Sequence, residues 1–205
     1  MEVIIPERCQ KYFELQCNGR MDLYTDPPIK LIKPWFDKIF ATKPLRILEL
    51  GCGIGRMSVY FFLYYGLQDA HFFLLDGNSG DQQVNGVRGN NNGEFYNSWK
   101  ATAHFCEANG LMNRTILRTQ EIPPDLDLTY SFFSIGFHWS IELYLKEVVK
   151  NTRRGGYILF DVRTSQDDFY AEQISIAYNN PSCELEGILD IDPAFSNKVL
   201  LLRKL

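Results

Sequence analysis

Residues 49 to 55 read Glu49-Leu50-Gly51-Cys52-Gly53-Ile54-Gly55, directly after an apolar run with Leu45, Ile47 and Leu48 and just before the apolar stretch Met57 to Leu67. A strand, a glycine turn and a helix in that order form the usual site for a nucleotide-type ligand at the carboxyl end of a buried strand. Glycine is needed there because the backbone must turn sharply and a Cβ at Gly51 or Gly53 would block a ligand's approach. An ordinary strand-to-helix loop also contains glycines, so their spacing matters. A dinucleotide fingerprint repeats as G-x-G-x-x-G, whereas Gly51, Gly53 and Gly55 are evenly spaced and Arg56 stands where the third glycine would fall.

A second apolar run, His71 to Leu75, ends in Asp76. An acid about 20 residues beyond such a turn is placed to bind a ribose, with its carboxylate accepting from both hydroxyls. The competing reading is a surface aspartate that closes a turn with Gly77 and Asn78. The even acid-x-Gly-x-Gly-x-Gly spacing resembles the first motif of class I S-adenosylmethionine-dependent methyltransferases. That resemblance implies S-adenosylmethionine as cofactor. It also implies a cofactor shell of Glu49, Gly51, Cys52, Gly53, Gly55, Asp76, Gly77, Asn78 and Ser131, with the Glu49 carboxylate directed at the ligand's amino group.

The chain of 205 residues, 45% hydrophobic, is sized for one domain with a sheet covered on both faces. The net charge of −4 and scattered basic residues give no clear electrostatic footprint for nucleic acid, so a small-molecule acceptor is the expected partner, with an RNA or protein acceptor, or a cofactor-binding partner subunit without activity, as the alternatives. Cys9, Cys17, Cys52, Cys106 and Cys183 are odd in number and form no C-x-x-C pair, which argues against a disulfide framework or a structural zinc site. The N-terminus lacks a signal-peptide pattern and Met57 to Leu67 is too short to span a bilayer, so a cytoplasmic, membrane-free protein is expected. Nothing in the sequence sets an oligomeric state.

Within residues 1 to 44, Pro27-Pro28 marks the start of a helix bearing Leu31, Ile32, Trp35, Phe36, Ile39 and Phe40 at helical spacing. The pattern then predicts strands at Leu45–Leu50, Ala70–Leu75, Thr115–Thr119, Leu128–Ile135 and Tyr157–Val162. Helices are predicted over Arg56–Tyr65, from an N-cap at Ser98 to Asn109-Gly110, over Ile141–Lys150, and from a capping box at Ser165 and Asp168 to Ile176. Residues 77 to 97 carry five glycines and an Asn90-Asn91-Asn92 run and read as a long loop, rooted beside Asp76 and placed to act as a lid. Cys183–Leu189 and Lys198–Leu202 fit the antiparallel strand pair with which the resembling family ends. The implied fold is a doubly wound, mostly parallel seven-stranded Rossmann-like sheet with that pair at its end.

After the fourth core strand comes Ser131-Phe-Phe-Ser-Ile-Gly-Phe-His-Trp139, where the resembling family places acceptor and catalytic groups. The Asn/Asp-Pro-Pro-Tyr/Phe motif of amino-methylating enzymes is absent, as is a Pro-Cys nucleophile. Ser134 to Trp139, Glu142-Leu-Tyr-Leu145 and Tyr96-Asn97-Ser98 resemble bacterial sugar O-methyltransferases, which implies transfer to a hydroxyl. His138 is the candidate base, since a neutral imidazole accepts a proton at physiological pH; the alternative is a histidine that only holds the loop. Trp139 and Phe137 suit an apolar acceptor or the core. Asp161, Asp167 and Asp168 read as turn and cap carboxylates ahead of a cation site, and Arg163 is expected at the cleft beside Asp161.

Overall fold

The computed structural model describes residues 3–10, 12, 27–77, 83–84, 94–95, 98–117, 121–132, 134–136, 139–163, 167–192 and 197–205. Helix α1 (Pro27–Phe40) leads into strand β1 (Arg46–Leu50), α2 (Arg56–Tyr65) and β2 (His71–Leu75). A small ribbon, β3 (Gln83–Val84) with β4 (Glu94–Phe95), precedes α3 (Trp99–Ala108), β5 (Arg114–Leu117) and β6 (Leu126–Ser131). Then come α4 (Glu142–Asn151), β7 (Thr152–Arg163), α5 (Asp167–Tyr178), β8 (Cys183–Asp192) and β9 (Asn197–Lys204).

The seven-stranded sheet runs β5-β2-β1-β6-β7-β9-β8. Strands β5, β2, β1, β6 and β7 are mutually parallel, while β9 is antiparallel to both β7 and β8. The order reverses between β1 and β6, so the carboxyl end of β1 lies at the topological switch point, where open α/β sheets bind ligands. This is the doubly wound sheet with a terminal antiparallel pair that the sequence predicts.

Strand periodicity divides the core into two layers. Ile47, Phe72, Leu74, Leu128, Tyr130 and Leu159 face α1, α2 and α3, whereas Leu48, Leu50, Phe73, Leu75, Ile158 and Phe160 face the side of α4 and α5. Helix α2 buries Met57 through Phe62, as its nearly continuous apolar sequence predicts. Helix α1 docks through Ile32, Phe36, Ile39 and Phe40. Leu31, counted in the same stripe, is 49% exposed because it lies about 100° around the helix from Ile32.

Several boundaries move for identifiable reasons. Strand β6 stops at Ser131, not Ile135, because the Ser131 hydroxyl accepts the Ile135 amide at 2.9 Å and Gly136 turns at φ 89°. A Cβ on Gly136 would stand 2.2 Å from the Asp161 carbonyl oxygen, so the loop packs directly on β7 and tolerates only glycine there. Strand β7 begins five residues before Tyr157 and takes in Arg154-Gly155-Gly156. Gly155, at φ 78°, accommodates the register shift between Leu126 and Leu128 as a bulge. Ser98 holds the N-cap position of α3, yet its side chain makes no capping bond; its carbonyl accepts the Thr102 amide. Residues 77 to 97 are not wholly irregular, since Gln83 pairs with Phe95 and Val84 with Glu94. The lid expectation, Asn78, Cys17 and Ser165 lie outside the described residues. Cys9, Cys52, Cys106 and Cys183 are buried free thiols.

At the opposite end of the sheet, Asp127 joins three strands. Its Oδ2 accepts the Leu45 and Arg46 amides, each at 2.7 Å, and its Oδ1 pairs with the Arg153 Nε at 2.5 Å. The carboxylate is 7% exposed, so its loss would leave two amides at the start of β1 unsatisfied. Asp127→Ala is expected to lower unfolding stability by about 2–4 kcal/mol in urea denaturation, with Asp127→Asn recovering part of that loss.

Candidate functional site

The glycine turn lies where the sequence places it. Gly51, Gly53 and Gly55 have φ of 68°, 54° and 80°, all in the left-handed region. The Gly51 and Cys52 amides both donate to the Leu75 carbonyl, at 2.8 and 3.1 Å, which ties the turn to the end of β2. Gly51 is required for a reason the sequence does not reveal: a Cβ there would lie 2.1 Å from the Ser134 Oγ. Its small size therefore makes room for the loop after β6, a need separate from the expected approach of a ligand. Gly55 is the N-cap of α2, and a Cβ there would stand 3.3 Å from the Cys106 Sγ. The Cys52 thiol is buried and donates to the Gly53 carbonyl at 3.3 Å, and burial raises its pKa well above the usual thiol value.

Asp76 is the acid at the end of β2. Its Oδ2 accepts the Gly53 amide at 2.5 Å and its Oδ1 accepts the Gly77 amide at 2.6 Å. The carboxylate thus holds the glycine turn and also closes a turn with Gly77, the second of the two roles weighed from the sequence. Each oxygen keeps a second lone-pair direction. Burial raises its pKa to about 6 against the lowering effect of those two amides. Trp99 donates its indole Nε1 to the Asp76 carbonyl at 3.3 Å, and Thr102 donates its hydroxyl to the Gly53 carbonyl at 3.0 Å. Helix α3 therefore supports the turn from the side.

Glu49 points away from the turn's surface, into the layer beneath α2. Its Oε2 accepts the Ser58 hydroxyl at 2.5 Å, the Tyr130 hydroxyl at 3.1 Å and the Ser58 amide at 3.3 Å. Ser58 is the third residue of α2, so the strand carboxyl caps the helix from outside it. Burial raises the Glu49 pKa to about 8, with the Ser58 and Tyr130 bonds pulling against it and the nearby Asp76 charge adding to it. Those bonds engage Oε2 with Ser58 and Tyr130, partners that the glycine motif does not announce.

Ser131 is fully buried, and its hydroxyl is engaged with the Ile135 amide. Beyond it, Ile135 bridges to Trp139, whose carbonyl accepts the Gly136 amide at 2.6 Å. Trp139 packs against the layer beneath α4, while Phe137 and His138 lie outside the described residues. Asp161 is fully buried at the carboxyl end of β7. Two further residues belong to this end of the sheet. Ser134 sits over Gly51, and Tyr144, in the first turn of α4, is close enough to Asp76 for its charge to add to the burial that raises the Tyr144 pKa. Glycine spacing flags neither residue, because one comes from the loop after β6 and the other from the start of α4, both distant in sequence from the turn.

Ionisation of Glu49 in the folded protein is disfavoured relative to the unfolded chain, where it titrates near 4.5. The native state therefore holds more protons between pH 4.5 and about 8, and stability falls as pH rises through that window. Glu49→Gln is expected to flatten this loss, worth at most about 1.4 kcal/mol per pH unit, in thermal unfolding followed from pH 6 to 9.

No family model matches this chain, and no curated protein matches it at a significant level. Solved structures do share its architecture. The StiE O-MT structure is 13% identical with a TM-score of 0.67, covering 99% of this chain and 84% of the other. An O-methyltransferase from Bacillus cereus solved in complex with SAH (S-adenosylhomocysteine) is 12% identical with a TM-score of 0.58, covering 98% and 94%. An rRNA methylase from Streptococcus thermophilus is 10% identical with a TM-score of 0.56, covering 90% and 99%. The chain has the fold of the class I S-adenosylmethionine-dependent methyltransferases.

Proposed function

We propose that this protein is an S-adenosylmethionine-dependent methyltransferase that methylates a hydroxyl of a small molecule such as a sugar. The observation that carries the reading is Asp76, fixed by the Gly53 and Gly77 amides at the end of β2, beside a left-handed glycine turn at the end of β1. The residues suit the cofactor: a carboxylate with spare acceptor directions fits a ribose diol, and Gly51 and Gly53 leave backbone only partly covered at the switch point. Bound cofactor supplies a methyl group on a positively charged sulfur, an excellent leaving group. The chain's part is then to orient the acceptor, exclude water and take the hydroxyl proton. His138 is the proposed base, from its place after β6. Two sequence features support a small acceptor: the net charge of −4, and the segment from Ser134 to Trp139 that resembles sugar O-methyltransferases.

Titration with S-adenosylhomocysteine tests the cofactor assignment. Asp76→Ala is expected to weaken binding by about 10- to 100-fold, since charge-assisted bonds are lost. Wild-type affinity is expected to fall as pH drops below about 6, where the carboxyl takes up a proton. Undiminished affinity in Asp76→Ala would remove the ribose role. Once an acceptor screen yields turnover, His138→Ala is expected to lower kcat by about 100-fold with cofactor affinity unchanged. Equal turnover would take His138 out of the mechanism.

A further inference from the structure

An open cavity of about 460 Å³ lies between α4, the end of α5, the Asn180-Pro181-Ser182 turn and Lys204 at the end of β9. Because β9 runs antiparallel to the core strands, Lys204 and the start of β8 sit at the amino end of the sheet, away from the glycine turn. Leu145, Val149, Ile176 and Pro181 give the cavity an apolar floor. Lys146, Lys150 and Lys204 border it against a single acid, Glu142. Lys150 leans on Glu147, which lies outside the lining, at 3.2 Å. Among the described residues Lys146 and Lys204 have no ion pair, and Lys204 is half-buried.

Two helices end at this cavity, and their carbonyl ends answer part of that positive charge, about half a charge each. The lining remains positive even so, in a chain whose net charge is −4. The volume is in the range that holds a small ligand, about 300–1,000 Å³, and an apolar floor beneath unpaired ammonium groups is complementary to one chemistry. We propose that this cavity binds a small anionic molecule with an apolar body, its anionic group held between Lys146 and Lys204 and its body laid on Leu145, Val149 and Ile176. The cavity shares no residue with the glycine turn, Asp76 or the Ser131 to Trp139 segment, although Glu142 and Leu145 at the start of α4 line it on either side of Tyr144.

Anilinonaphthalene sulfonate, which joins an aromatic body to a sulfonate, is a suitable probe, and phenylnaphthylamine is its uncharged counterpart. Fluorescence titration of the intact protein is expected to show saturable binding of the sulfonate, at least about fivefold tighter than the uncharged probe and weakened by added salt. The double variant Lys146→Gln with Lys204→Gln should lose about fivefold in affinity, and the double variant with glutamate at both positions more than about tenfold. Circular dichroism should show both variants folded, and the glutamine pair keeps the test valid if the glutamate pair does not fold. Saturating S-adenosylhomocysteine should leave probe binding unchanged. Equal affinity for the two probes, indifference to the glutamine substitutions, or displacement by S-adenosylhomocysteine would each overturn the assignment.

Discussion

The buried contact of Glu49 with Ser58 and Tyr130 is the constraint on which the rest of the site depends. It joins β1 to the first turn of α2 and to the neighbouring strand β6, directly beneath the glycine turn. The Ser58 and Tyr130 oxygens also lie 2.7 Å apart, so one hydroxyl shares its single proton between Glu49 and its neighbour inside a largely apolar layer. A buried polar cluster of this kind is favourable only when its members are satisfied together. Here one carboxyl oxygen gathers two hydroxyls and a helix amide, and these contacts tie α2 to β1 and β6.

Above that ring, the glycine turn is held on three sides. Leu75 receives two of its amides, Asp76 receives a third, and Thr102 donates to its Gly53 carbonyl. The fourth side is Ser134, close enough that only glycine fits at position 51. A turn supported this way presents fixed backbone and a fixed carboxylate at the switch point of the sheet, and such preorganisation favours recognition of a rigid ribose. Asp76 is both a strut of the turn and the group proposed to meet the ligand, so its removal affects geometry and recognition together.

The two layers of the sheet divide the labour. The layer under α1, α2 and α3 carries the aromatic packing of Phe36, Phe40, Phe61 and Tyr130, with Phe36 and Phe61 rings 4.5 Å apart. The layer under α4 and α5 is mainly aliphatic around Phe73 and Phe160, and its Leu145 and Val149 also line the lysine-bordered cavity. Lys204 and the Asn180 to Ser182 turn place one side of that cavity at the amino end of the sheet, opposite the end that bears the glycine turn.

The sequence alone determined the elements that rest on local rules. Apolar runs of strand length, the evenly spaced glycines and the acid after the second run located β1, α2, β2 and Asp76 to within a residue or so, because strand period and left-handed turns are written in neighbouring residues. Helix α1 was legible for the same kind of reason, whereas the terminal antiparallel pair was what the family resemblance implied. Only the tertiary structure decided that Glu49 bonds Ser58 and Tyr130, the latter 81 residues away, and that burial raises its pKa. It likewise decided that Gly51 makes room for Ser134, that β6 ends where Gly136 meets Asp161, and that Lys146 and Lys204 share one cavity. Burial, close approach and the meeting of distant charges are properties of packing, and no window of sequence contains both partners.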